Sequence, residues 1–285
     1  MYTMLYSRRQ FIQTTTVASL AMPLLAETKL VTQLGGVKIG LQTYSLRGLR
    51  YEALIPAMQQ IGIGSCEIWS AQVEPAPEDV PDMNQWRATV SLDYFKNARR
   101  QFNQAGIEIS AYNFNLGSRG PRGTVPLPQP PNEAQLDRIF EMAKALGATS
   151  LNASVPAPIA PIMASLADKH RLIVGNYSQD AEALKLSKYF RYDFDIGDYT
   201  KAGHDSLQFV KDNYQQMSDI HLKDCILNGA SVPFGQGDSH MKEILQFLKE
   251  KKADVRANID CDYPGTGTSI DEVKKCLEYV RTILA

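Results

Sequence analysis

Short runs rich in β-branched and aromatic residues alternate with longer stretches in which apolar residues return every three or four positions. VKIGLQTY (37–44) has the first character and YEALIPAMQQIG (51–62) the second, which predicts a strand followed by a helix. The pair recurs along the chain. Strands are predicted over 64–70, 107–113, 149–155, 171–176, 191–197, 218–224 and 254–262. Helices are predicted over 91–106, 133–147, 159–170, 180–189, 205–217, 240–252 and 270–284. In 133–147, Leu136, Ile139, Phe140 and Ala143 share one helical face. Glycine or a short polar turn closes most helical stretches, as at Gly62 and Gly106, where C-capping favours a residue that accepts left-handed backbone.

Eight such units in strict alternation imply parallel strands joined by helical crossovers. The expected fold is α/β, a single (β/α)8 TIM barrel over 37–285. An open doubly wound sheet is the alternative, but no G-x-G-x-x-G follows any strand. One connection is out of scale: GSRGPRGTVPLPQPPNE (117–133) follows the third strand and reads equally as a lid or as decoration.

Composition adds limits. The chain has 285 residues and a formal net charge of −1, so no basic field points to a nucleic-acid partner. Cys66, Cys225, Cys261 and Cys276 have no C-x-x-C spacing, which argues against a structural zinc site. At the start, SRRQFIQ (7–13) precedes TTTVASLAMPLLA. Paired arginines before a weakly apolar stretch resemble a twin-arginine export signal over 1–26, with a linker over 27–36. The stretch is too short and too diluted to anchor as a membrane span. The expected location is therefore periplasmic or otherwise exported.

The chemistry lies in strand parity. Side chains in a strand alternate between faces, and barrel enzymes work at the C-terminal strand ends. In CEIW, Cys66 and Ile68 face the helices, so Glu67 and Trp69 face inward. By the same reading Asp193, Asp195, His221, Lys223, Asn258, Asp260 and Asp262 face inward. A lone histidine in an apolar run, as in DIHLKD, is more often a structural core residue. Several acids aimed at the same barrel mouth reverse that weighting, because inward charges need a partner, a metal or water. One imidazole with several carboxylates suits Mn²⁺, Mg²⁺, Co²⁺ or Zn²⁺.

The runs FDIGDYTKAGHDSLQF, DIHLKD and PFGQGDSHMKEILQFL, with IGLQTYSLR and CEIW, resemble the xylose-isomerase-like TIM barrels. These are the sugar isomerases and epimerases related to endonuclease IV. The resemblance spans about residues 37–284 and implies a divalent metal between two Glu, one Asp and one His, with the two Glu moving a proton at a sugar carbon. It carries the strand-six Asp onto Asp195, the strand-seven His onto His221 and the strand-eight acid onto Asp260, shortened by one methylene. The strand-five Glu falls at or near Gly175, where no carboxylate stands. The expected metal ligands are Asp195, His221 and Asp260, holding an ion weakly or not at all. Asp260, Glu67 and Lys223 are the expected catalytic residues. Tyr44, Trp69, Asn113, Asn176 and His240 are the expected substrate-binding residues.

Two-base epimerisation needs a base on each face of the carbon, and one is missing here. The leading expectation is an exported enzyme that abstracts a proton next to a carbonyl of a carbohydrate or oxidised sugar. A lyase or hydrolase on keto-glycosides is a close variant. A non-catalytic carbohydrate-binding barrel is the alternative from another class. A trinuclear nuclease would need more histidines than His170, His204, His221 and His240. Expected partners are a small sugar and, compatibly, a second copy of the chain.

Overall fold

A computed structural model describes residues 29–120, 123–126 and 131–285. The export signal expected over 1–26 lies outside the described residues. Eight parallel strands form the barrel: β1 (Val37–Gln42), β2 (Ser65–Trp69), β3 (Glu108–Asn113), β4 (Ser150–Ala153), β5 (Ile173–Asn176), β6 (Phe190–Asp195), β7 (Met217–Leu222) and β8 (Arg256–Ile259). Each pairs with its neighbour in chain order, β8 pairs back onto β1, and the sheet closes. The fold is a single (β/α)8 barrel, as the alternating pattern predicts.

Parity sets what each layer contains. In β7, Ile220 and Leu222 are fully buried in the apolar shell between strands and helices. Burial of side chains this size stabilises by roughly 1.5–3 kcal/mol each. Asp219 and His221 turn the other way, into the barrel. Register fixes their depth: Asp195 lies beside His221, His221 beside Asn258, and Asp193 beside Asp219 one pleat lower.

Several local expectations change. The helix expected over 180–189 is only Ala181–Leu184. Ser187 ends it, its hydroxyl donating to Asp168 and accepting from the Tyr189 N–H, a local bond that competes with helix. The segment 205–217 is Ser206–Asn213 followed by a 3-10 turn, Tyr214–Gln216. Two further helices follow acids that cap them. Asp82 accepts from the N–H groups of Asn84 and Gln85 at the start of Met83–Thr89. Asp195 accepts from the Asp198 N–H at the start of Ile196–Lys201. The long connection after β3 carries an antiparallel hairpin, Gly117–Gly120 with Gly123–Pro126.

The expected linker is not a linker where it is described. Val31 bridges Ile63 in parallel, and Gln33–Leu34 pairs antiparallel with the start of β1. Residues 29–36 therefore run along the N-terminal ends of β1 and β2. No helix among the described residues is long and apolar enough to cross a membrane.

Gly40 in β1 allows a close approach inside the barrel. A Cβ there would overlap Asn258 Oδ1, and Asn258 is tied by its amide to Glu67 (3.1 Å) and Asp219 (3.3 Å). Gly40→Ala is expected to destabilise by about 1–3 kcal/mol, read as a lower urea midpoint with an unchanged slope.

Candidate functional site

Glu67 sits on β2, fully buried, at the centre of the inward-facing groups. Its Oε1 accepts from Gln42 Nε2 (2.8 Å), Asn113 Nδ2 (2.6 Å) and the Tyr177 hydroxyl (2.9 Å). Its Oε2 accepts from Asn258 Nδ2 (3.1 Å) and faces His221 Nε2 at 3.0 Å. Burial alone would raise the Glu67 carboxyl, but the His221 charge and these bonds hold it below the usual range. Burial would likewise lower His221, but Asp193, Glu67 and Asp260 drive it well above the ordinary imidazole value. With Nε2 turned to Glu67, Nδ1 points to Asp260 Oδ2 at 3.6 Å.

Above this pair lies a cavity of about 380 Å³ at the C-terminal strand ends. Of the expected residues, Tyr44, Trp69, Asn113, Asp195, His221, Lys223 and Asp260 line it. Lys223 Nζ is 2.8 Å from Asp195 Oδ2, 3.3 Å from Asp198 Oδ1 and 3.5 Å from Asp260 Oδ2. Its desolvation is outweighed by Asp195, Asp260 and Asp198, which keep the ammonium protonated. Asp260 is pushed up by burial and pulled down by Lys223 and His221, to about 2. Its second oxygen, Oδ1, has no hydrogen-bond partner.

Three expectations need correction. Glu67 does not line the cavity, and its oxygens are already engaged by four side-chain donors and the imidazole. Asn176 is buried in its own turn, its Oδ1 accepting from the Val155 and Ser178 N–H groups and its amide donating to Ser178. His240 lies in a separate depression with Gly203, Asp224 and Tyr279. Sequence reasoning undervalued Tyr177, whose hydroxyl reaches Glu67, Asn113 (2.5 Å) and His221 (3.3 Å). The signal was there: Tyr177 continues the inward parity of Gly175.

Asp195, His221 and Asp260 each offer one ligand atom, all within 4.8 Å of one another. Asp260 Oδ2 and His221 Nδ1, 3.6 Å apart, form with Asp195 a donor set that fits a divalent ion once Nδ1 gives up its proton, with Glu67 as the carboxylate behind the histidine. A fourth acid from β5 has no room, since a Cβ at Gly175 would overlap Asn152 Oδ1. Glu67, Asp193 and His221 form a second close group, and both Asp193 oxygens lack hydrogen-bond partners. Burial and the Glu67 charge raise Asp193 well above the carboxylate range.

Solved structures supply the fold's relatives. A sugar phosphate isomerase/epimerase from Parabacteroides distasonis superposes with a TM-score of 0.60 at 15% identity, covering 90% of this chain and 100% of its own. A xylose isomerase domain protein from Planctomyces limnophilus gives 0.63 at 15%, covering 80% and 91%. An L-ribulose 3-epimerase gives 0.59 at 11%, covering 87% and 94%. The chain has the xylose-isomerase-like barrel fold. No family model matches the sequence, and no curated protein matches it. In this xylose-isomerase-like barrel the strand-six, strand-seven and strand-eight positions named from the sequence meet at one cavity, and the space beside the strand-five position is filled by Asn152 from the neighbouring strand.

Asp219, below His221, is raised to about 6 by burial and the Glu67 charge. A carboxyl raised on folding contributes stability below its unfolded value, and loses it as pH rises through the folded value. Asp219 should contribute a fall in unfolding free energy between about pH 4 and pH 6, of up to about 3 kcal/mol, read as the wild-type minus Asp219→Asn difference. Asp219→Asn should remove that step, because its amide can donate to Asn152 Oδ1 or Asn258 Oδ1, both without partners. Urea unfolding across this pH range checks it.

Proposed function

We propose that this barrel is an enzyme that takes a proton from the carbon next to a carbonyl of a carbohydrate, with Asp260 as the base. The observation that carries the reading is Asp260 Oδ1: a buried carboxylate oxygen without a partner, on a residue that lines the cavity. Lys223 and His221 keep this carboxylate ionised. A divalent ion bound by Asp195, His221 and Asp260 would polarise the carbonyl and make the adjacent C–H acidic enough for so weak a base. Glu67 fixes the His221 ring, and Asp195 fixes Lys223. Gly175, where the resemblance places the second glutamate, carries no base, and two residues on Tyr177 brings a hydroxyl to Glu67 and Asn113. Burial and the charges of Asp193 and Glu67 keep that phenol protonated, so it donates hydrogen bonds and does not act as a base. The arrangement therefore favours single-base enolisation, leading to elimination or isomerisation, over symmetric two-base epimerisation.

A second reading has its own support. Lys223 already pairs with both Asp195 and Asp260, a closed network that a sugar-binding barrel without catalysis would also need. Deuterium exchange separates the two. In D2O with Mn²⁺, the enzyme should place deuterium beside the carbonyl of a ketose or aldose, followed by NMR. Asp260→Asn should slow exchange by about 10²-fold or more while sugar binding persists. Binding with no exchange on any sugar favours the second reading. His221→Ala and Asp195→Ala should each lower bound metal.

We also propose that the paired arginines Arg8 and Arg9 direct export by the twin-arginine route. Replacing both by lysine should leave the protein in the cytoplasmic fraction, and an unchanged periplasmic yield would count against it.

A further inference from the structure

The charge around the cavity specifies what kind of carbohydrate it accepts. Asp195, Asp198, Asp260 and Asp262 all line it. The basic side chains among the described lining residues are Lys223, His221 and His204, the last set against the Tyr199 ring at 4.7 Å, and no arginine is among them. Lys223 and His221 are already matched. Lys223 faces all four of those aspartates, out to Asp262 at 4.0 Å. His221 lies between Glu67, Asp193 and Asp260. Arg47, just outside, is 3.5 Å from Asp262 and sits over the Tyr44 ring. A divalent ion on Asp195, His221 and Asp260 would neutralise those two acids, and Lys223 would still face Asp198 and Asp262.

An anionic substituent entering this space would lose hydration and find Lys223 and His221 already matched by carboxylates, with only the His204 imidazole left to meet it. It would also meet Asp198 and Asp262, whose side chains are 64% and 38% exposed on the approach. Uncharged hydroxyls need only donors and acceptors, and Ser154 and Gln179 on the wall are neutral ones, beside Gln42 and Asn113, whose amide N–H groups serve Glu67. Tyr44 and Trp69, edge to face at 5.1 Å, add an aromatic side suited to the C–H face of a sugar ring.

We infer that this cavity takes uncharged carbohydrates and rejects their phosphate esters and uronic acids, with Asp198 and Asp262 as the discriminating residues. The inference rests on the carbohydrate reading above and narrows it.

The test is calorimetric titration of a panel of ketopentoses and ketohexoses, each beside its own terminal phosphate ester, with and without Mn²⁺. Within a pair that binds, the free sugar should bind about tenfold or more tighter than its phosphate at low ionic strength, and the gap should narrow at high salt. The double variant Asp198→Asn/Asp262→Asn should narrow the gap several-fold by improving phosphate-ester binding. Retention of fold is checked by an unchanged thermal midpoint, and Asp198→Glu, which keeps the charge, should keep the preference. A phosphate ester that binds the wild type as tightly as its free sugar overturns this inference and leaves the carbohydrate reading standing. A double variant with the wild-type ratio removes Asp198 and Asp262 from the discrimination and overturns it too. Failure of every sugar, free and phosphorylated, overturns the carbohydrate reading, and this inference with it.

Discussion

The pair of Glu67 and His221 at the barrel centre is the constraint around which the rest is arranged. Neither side chain reaches bulk water, so a carboxylate and an imidazolium are both stripped of hydration. The idealised cost of that is of order 20 kcal/mol per ion, falling to several after relaxation. It is offset only when nearly every lone pair and proton finds a partner. This accounts for the company Glu67 keeps: two amides, a phenol and a third amide, drawn from β1, β3, the end of β5 and β8. Each of those strands thereby has its inner face assigned. The pair also decides the chemistry above it. Because Nε2 is taken by Glu67, the other ring nitrogen faces the cavity acids.

Much of this was legible in the sequence, for a simple reason. Strand parity has a period of two, and apolar residues on the helix side of β2, β6, β7 and β8 mark it unambiguously. Cys66 and Ile68, Phe194 and Ile196, Ile220 and Leu222, Ile259 and Cys261 thus give away the inward set. What parity cannot give is depth. Glu67 and Asp260 both point inward, yet one is sealed beneath the cavity and the other lines it. The difference is set by register and by strand length, neither of which a single strand records. Parity also runs past the strand ends, and there it speaks for Tyr177 and against Asn176. Asn176 ends β5 and folds onto Ser178, while Tyr177, one residue on, takes the inward place. His240 was out of reach for another reason: its left-handed backbone (φ 52°) begins a helix outside the barrel mouth.

Lys223 gives the site its particular character. A lysine two residues beyond the histidine, on the same inward parity, brings a positive charge to the point where two aspartates converge. Any ion that binds Asp195 and Asp260 must share them with this ammonium or displace it. Metal occupancy and the position of Lys223 are therefore one equilibrium rather than two. At Gly175, where a fourth acid might be sought, Asn152 occupies the space and reaches on to Asp219 (3.3 Å). The inner faces of β4 and β5 thus meet in a packed amide layer at this level.

The way residues 29–36 run along the N-terminal ends of β1 and β2 has a practical side. Val31 lies beside Ile63, and the last helix, Ser269–Leu284, ends where the Leu284 carbonyl crowds Gly35 and accepts from Lys249. The described chain thus enters and leaves at the same pole, opposite the cavity. A tether, tag or fused domain joined after Ala285 would hang from that pole, and the protein could be fixed to a solid support with its mouth turned to the solution.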